Sequence, residues 1–289
     1  MNIPASGHQR QPRSVRYRGR QYRLTERDVW LLEALAKMRF LTTGQISGLG
    51  FGGSRWAANK RLRKLLDAGL VRVWVRHLAE ENVYSIDRMG ARQLGDPQDD
   101  EKAPRIPRGL DANLDHLLAI NEFRIALALG LEKAAGEIAW WRSDWELRGN
   151  VRACVVPDAF FAVRWAGEER SYVLEADNNT RSVRQFLKKL LSYASLLERG
   201  GGAYRAANLN MLVVTRDAGW LERYRQALRI LPIRSHVWFT TLAEAKEERA
   251  VGRIWKRTGE DSEYSLQELS SLPYGKEGGS ALTTDVACS

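Results

Sequence analysis

Four acidic residues have types and spacing that suit chemistry. Glu175 and Asp177 close the β-like run SYVLEAD. Side chains alternate along a strand, so Val173, Glu175 and Asp177 share one face. Asp158 follows Pro157 on the preceding strand-like run, PDAFFAVRW. A hairpin between the two runs sets Asp158 beside Glu175. Glu122 comes from the helical run upstream. Oxygen donors converging at a strand end suit Mg²⁺, a hard cation that prefers carboxylate and water. Held by Asp158, Glu175 and Asp177, such a metal polarises a phosphodiester and lowers the pKa of its bound water.

The elements that must position these groups read as an α/β domain. LDANLDHLLAINEFRIALALGLEKAAG is a long helix. EIAWWRSDWEL, VRACVVPDAFFAVRW and SYVLEAD read as three strands. RSVRQFLKKLLSYASLLERG is a helix, NLNMLVVT a buried strand, DAGWLERYRQALRI a helix and HVWFTT a strand. That order gives a mixed sheet. Trp140, Trp141 and Trp145 read as core or edge-strand packing.

Upstream, LTERDVWLLEALAKMRF has helical spacing with Thr25 as N-cap, and LTTGQISGLGF gives a short helix capped by Thr42 or Thr43. GSRWAANKRLRKLLDAGLV is a third helix, stopped by Gly69. Its apolar face is Ala58, Leu62, Leu65 and Leu66; its other face shows Arg55, Trp56, Asn59, Lys60, Arg63 and Lys64. VRVWVR alternates strictly and VYSID returns as a second strand. Three helices and a hairpin in this order make a winged helix-turn-helix, with the third helix as recognition element and Arg72 and Arg76 on the wing. Arg55, Asn59 and Arg63 lie on one stripe, suited to reading bases; Lys60 and Lys64 suit phosphate.

The bulk numbers agree with a polyanionic partner. The 289 residues carry a net charge of +10, and neutralising phosphates releases counterions. Arg10, Arg13, Arg16, Arg18, Arg20 and Arg23 precede the first acid, with Tyr17 and Tyr22 among them, which reads as a flexible basic arm on nucleic acid. The most apolar run, LLAINEFRIALALGL, is broken by Asn121, Glu122 and Arg124, so no membrane span is expected. The cysteines, Cys154 and Cys288, have no metal spacing and fit a reducing cytoplasm. The divisions expected are a flexible arm at 1–23, a winged helix at 24–94, a linker at 95–110, an α/β domain at 111–257 and a disordered tail at 258–289.

The second domain resembles the restriction-endonuclease-like, or PD-(D/E)XK, nuclease superfamily, in which Pro157-Asp158 matches the PD, Glu175 the second acid and Glu122 a helical Glu. The departure is Asp177, which stands where that superfamily has a lysine. Some members carry the lysine on the following helix, so Lys189 is the candidate substitute, with Arg181 behind it. Lys189-x-x-x-Tyr193 resembles the Gln-x-x-x-Tyr motif of the exonuclease branch, and residues four apart share a helix face.

The whole layout also resembles a narrower family, the replication-relaxation proteins of plasmids and other mobile elements. LTERDVWLLEALAKMRFLTTGQI, NKRLRKLLDAGLV, YSIDRMGARQL, LDHLLAINEFRIALA, PDAFFAV, YVLEADNNT and FLKKLLSYASLL carry the resemblance, from about Leu24 to Leu197. In that family a Glu-x-Asp pair is usual, which makes Asp177 a family trait. His8, His77, His116 and His236 are scattered, and no tyrosine or His-x-His arrangement of a relaxase is present. The fold class expected is α/β, α+β overall: a winged helix-turn-helix, then a restriction-endonuclease-like mixed-sheet domain. The favoured function is a DNA-binding accessory role in replication, relaxation or transfer of a mobile element's DNA. The alternatives are an active Mg²⁺-dependent DNA endonuclease with Lys189 as the migrated lysine, and a transcriptional regulator of the element. The partners expected are double-stranded DNA, replication or mobilisation proteins, and a second copy of the chain.

Overall fold

The computed structural model describes residues 14–77, 79–94, 105–150, 155–178, 182–198, 209–229, 231 and 236–270. Residues 1–13, most of the expected linker, Cys154, Arg181, Cys288 and the end of the tail lie outside them. The chain divides into two compact units, residues 1–125 and 126–289.

The first unit opens with a hairpin of β1 (Ser14–Tyr17) and β2 (Arg20–Arg23). This corrects the expected flexible arm over its second half. Arg18 and Gly19 both take positive φ, 46° and 78°, the geometry whose twist matches a two-residue hairpin. Next come α1 (Glu26–Met38), β3 (Leu41–Thr42), α2 (Thr43–Gly50), α3 (Arg55–Asp67), β4 (Val71–Trp74), β5 (Val83–Ile86) and α4 (Arg88–Arg92). β3, β5 and β4 form a three-stranded sheet in that order. The order of three helices followed by a β-hairpin is the one expected from the sequence. β4 is shorter than the alternation of VRVWVR suggests: it ends at Trp74, and Val75 is exposed. Trp74 packs edge-on to Phe40, beside Val83, Leu114 and Leu118.

Side-chain caps set the helix starts. Thr25 and Thr42 each form a capping box, with Asp28 and Gln45 as the reciprocal partners. Asp28 is used twice: buried, it also receives the guanidinium of Arg61 on α3. Gln45 donates to the Leu118 carbonyl at 2.8 Å, on α5 (Leu114–Lys133). Asn121 donates to the Met38 and Phe40 carbonyls at 3.0 and 2.8 Å. These bonds and the Leu114 and Leu118 contacts give the first half of α5 to the first unit. The division therefore falls inside a helix, beyond the expected linker.

The second unit holds β6 (Gly136–Ser143), α6 (Asp144–Asn150), β7 (Ala159–Trp165), β8 (Glu168–Asp177), α7 (Val183–Glu198), β9 (Asn210–Thr215), α8 (Ala218–Leu228), β10 (Val237–Thr241), α9 (Leu242–Glu247), β11 (Trp255–Arg257) and β12 (Glu263–Tyr264). They build a seven-stranded mixed sheet, ordered β12-β11-β10-β9-β8-β7-β6. β8, β9 and β10 run parallel, joined by the helical crossovers α7 and α8; the other pairs are antiparallel. This is the mixed α/β class read from the sequence. A core of Val173, Phe186, Leu190, Met211, Val213, Leu221 and Phe239 joins α7 and α8 to the sheet.

Two local readings change. DWEL is the start of α6: the Ser143 amide, at the end of β6, donates to Glu146 at 2.8 Å, and the strand stops there. The tail is ordered through Ser270. Leu266 and Leu269 are buried, and Lys256 pairs with Glu263 at 3.1 Å.

Asp28→Ala removes a cap and the partner of a part-buried guanidinium at once. We expect it to lower stability by about 3 kcal/mol in a urea titration. A change within about 0.5 kcal/mol, the range of ordinary surface substitutions, would contradict the role given to Asp28.

Candidate functional site

The first candidate surface is the outer face of α3. Ser54 caps the helix, its hydroxyl accepting from the Ala57 amide at 3.3 Å. Ala58, Leu62 and Leu65 turn inward; Leu66 is half-buried. Arg55, Trp56, Asn59, Lys60, Arg63 and Lys64 are all exposed. Trp56 is 72% exposed, an unusual position for its size, and the Lys60 ammonium lies 4.9 Å from its ring centre.

The cations on this surface differ in their partners. Arg55 is paired with Glu81 of the β4–β5 loop, and Glu81 also accepts from the Gly44 amide at 3.0 Å, in the first turn of α2. Arg55 is therefore held by an acid and does not stand with Asn59 and Arg63 as an equal base-reading group. Arg72 faces Asp87 at 3.4 Å, and Arg76 meets Glu80 and Asp115 at 3.1 and 2.8 Å. Among the described residues no acid pairs with Arg63 or Lys64. Arg61, inside the same basic run, is the structural exception: it turns to Asp28. Sequence reading missed it because the partner lies on another helix.

The second candidate site lies at the end of β8. Ala159 on β7 pairs with Leu174, so Asp158 comes level with Glu175. Asp158 accepts from the Ala176 amide at 2.8 Å. Glu175 is 1% exposed. Its two oxygens accept from Lys189 Nζ and from the Tyr193 hydroxyl, each at 2.5 Å. Both donors come from α7, one turn apart. Asp177, also buried, accepts from the Tyr224 hydroxyl of α8. The Tyr224 ring stacks on Phe186 with centroids 3.9 Å apart.

The structure thus brings Asp158, Glu175 and Lys189 together, while Asp177 is engaged by α8. Glu122 sits on α5, where its carboxylate accepts from Gln45 at 3.0 Å within the first unit. Lys188 is exposed. Trp140 and Trp141 pack on Phe160 and Phe161 along the edge strand, each with centroids 4.7 Å apart, as expected of core packing. Tyr224 was missed. A Tyr in the apolar stripe Leu221, Tyr224, Leu228 needs an acceptor for its hydroxyl, and that was the available signal.

Among the described residues, no three of His, Cys, Asp and Glu are grouped to hold a metal. The pair Asp158 and Glu175 nonetheless has the right chemistry for a hard cation: two adjacent oxygen donors. Its electrostatics favour an added positive charge. Burial, and then the Asp158 carboxylate, push Glu175 from 4.5 up to about 7, while Lys189 and Tyr193 pull it back down.

That shift sets a pH dependence. Glu175 binds its proton more tightly folded than unfolded. Its contribution to stability is complete below 4.5 and is lost as pH rises through about 7. Thermal unfolding should therefore show the wild type losing more stability than Glu175→Gln between about pH 5 and about pH 8. Parallel losses in the two proteins would contradict the shift.

No curated protein matches the chain. A solved structure of the restriction endonuclease FokI bound to DNA is similar at a TM-score of 0.26 and 12% identity, covering 77% of this chain and 44% of that one. The chain spans less than half of that protein's length, and a likeness of that size bears on neither mechanism nor substrate. The sequence match is of another order. Residues 32–213, running from α1 through β9, match the replication-relaxation family. The chain belongs to the replication-relaxation family.

Proposed function

We propose that this protein is a DNA-binding accessory factor of a plasmid or other mobile element, acting in replication, relaxation or transfer of the element's DNA. The observation that carries the reading is the exposed face of α3, where Asn59, Lys60, Arg63 and Lys64 stand on a helix whose other face is packed. Such a helix enters the major groove with one stripe against base edges. Asn59 suits adenine and Arg63 suits guanine, each through paired hydrogen bonds. Lys60 and Lys64 suit phosphate oxygens, and Trp56 offers an apolar surface to a thymine methyl or a sugar. Arg55 would join them only on leaving Glu81. In this reading the second unit is a nuclease-like scaffold for contacts with replication or mobilisation proteins, or with a second copy of the chain.

The scaffold reading rests on how the carboxylates are used. Glu175 gives both oxygens to α7, and Asp177 gives one to α8. One observation favours a second reading, a Mg²⁺-dependent DNA endonuclease: Lys189 reaches Glu175 from the helix after the strand, beside Asp158. Asp158 and Glu175 would hold the cation, which when bound polarises a phosphodiester and acidifies water. Lys189 would then steady negative charge developing on the phosphate.

Fluorescence anisotropy on duplex DNA tests the first reading. Arg63→Ala should weaken binding by about 1–3 kcal/mol, mostly at one base pair, and Lys64→Ala should weaken it evenly across sequences. Affinity unchanged in both would remove α3 from the interface. Glu81→Gln should raise affinity several-fold by freeing Arg55 and deleting an anion from the surface; tighter binding should disappear again in Glu81→Gln combined with Arg55→Ala. No gain in the single variant would mean that Arg55 stays off the DNA.

A further inference from the structure

The hairpin of β1 and β2 lies outside the recognition helix and its wing. Its four backbone pairs run Ser14 with Arg23, Val15 with Tyr22, Arg16 with Gln21 and Tyr17 with Arg20. It is anchored, and the anchor is on α3. Val15 is 4% exposed. The Tyr17 ring lies so close over Gly69 that a Cβ there would come within 2.6 Å of it. Gly69 is the residue that ends α3, with φ of +66°. Two needs meet at one glycine: a left-handed helix stop and room for an aromatic ring.

Anchored in this way, the hairpin carries Arg16, Arg18, Arg20 and Arg23, all exposed. Arg18 lies 5.3 Å from the Tyr17 ring centre. Among the described residues none of the four has an acidic partner. Five other arginines of the unit differ. Arg39, Arg55, Arg61, Arg72 and Arg76 each meet a carboxylate. Like charges crowded on a short hairpin repel, and an extended polyanion removes that repulsion. The hairpin is fastened to the C-terminal end of the helix whose outer face carries Arg63 and Lys64, so a duplex on that face would have its backbone near the hairpin.

We propose that Ser14–Arg23 is a second DNA-contacting element, an anchored basic hairpin that grips phosphates beside the end of α3. The proposal rests on the DNA-binding reading of α3 and adds a fixed backbone contact outside the recognition helix. Phosphate contacts position the protein without reading sequence, so the hairpin should contribute affinity and salt dependence but little base preference.

The test uses the full chain and a mixed-sequence duplex of about 30 base pairs, long enough for a module that touches flanking backbone. Binding is followed by anisotropy over a range of salt. Combining Arg16→Ala, Arg18→Ala, Arg20→Ala and Arg23→Ala should make the slope of log K against log salt shallower by about 3–4, at roughly 0.9 for each phosphate that is no longer neutralised. Tyr17→Ala keeps every charge and releases the anchor; it should lose affinity several-fold while circular dichroism stays unchanged. An unaltered slope in the combined variant, with Lys64→Ala still weakening binding, would overturn the hairpin and leave the α3 reading standing. Wild-type protein that fails to bind any duplex would overturn both. Capture by anionic lipid vesicles that depends on the four arginines, with duplex binding indifferent to them, would also overturn the proposal.

Discussion

Three carboxylates stand at one end of the hairpin formed by β7 and β8, and each is buried. An unpaired ion in that position is costly, so each must draw a donor. Asp158 takes the Ala176 amide, Glu175 takes Lys189 and Tyr193, and Asp177 takes Tyr224. The donors belong to the sheet itself and to both helical crossovers. Satisfying the acids therefore sets the rotation of α7 and α8 about their axes. That rotation places Phe186, Leu190, Leu221 and Leu228 in the core. The same contacts decide what chemistry the site keeps. Glu175 has its oxygens committed to α7, and Lys189 supplies the positive charge that a metal-assisted site also needs.

The first unit uses its charges differently. Asp28 caps α1 and holds Arg61; Glu81 accepts from the start of α2 and holds Arg55. Each acid does a structural task and neutralises one cation. Lys60, Arg63 and Lys64 on α3 and the four arginines of the first hairpin are among the cations with no acidic partner among the described residues, and they stand open to a polyanion. Net charge alone says only that such a partner is favoured. The pairing pattern says which cations already have an acid and are less open to it.

Much of this was legible in the sequence, for local reasons. Thr25, and Thr42 or Thr43, read as caps because the capping pattern spans only a few residues; the structure selects Thr42. The wing and the mixed sheet followed from alternation and from turn chemistry. Asp158 and Glu175 could be set side by side because a hairpin has one register. Lys189 and Tyr193 could be put on one helix face because they are four apart. Two of the differences turn on partners far away in sequence. Nothing near Arg55 announces Glu81, and nothing near Asp177 announces Tyr224. The basic arm was read as flexible from its charge, although the Arg18-Gly19 turn between Val15-Arg16-Tyr17 and Gln21-Tyr22 carries a hairpin signal. The polar average of the tail hides Leu266 and Leu269, whose burial helps to seat it.

We propose that the protein engages DNA while its carboxylate site serves the fold and not cleavage. The most direct measurement incubates the purified chain with supercoiled plasmid in Mg²⁺, in Mn²⁺ and in EDTA, beside Glu175→Ala, with DNA retention checked on the same preparations. The account predicts retained plasmid that stays supercoiled under every condition. Metal-dependent nicking or linearisation that vanishes in Glu175→Ala would contradict it and make Lys189 a catalytic residue.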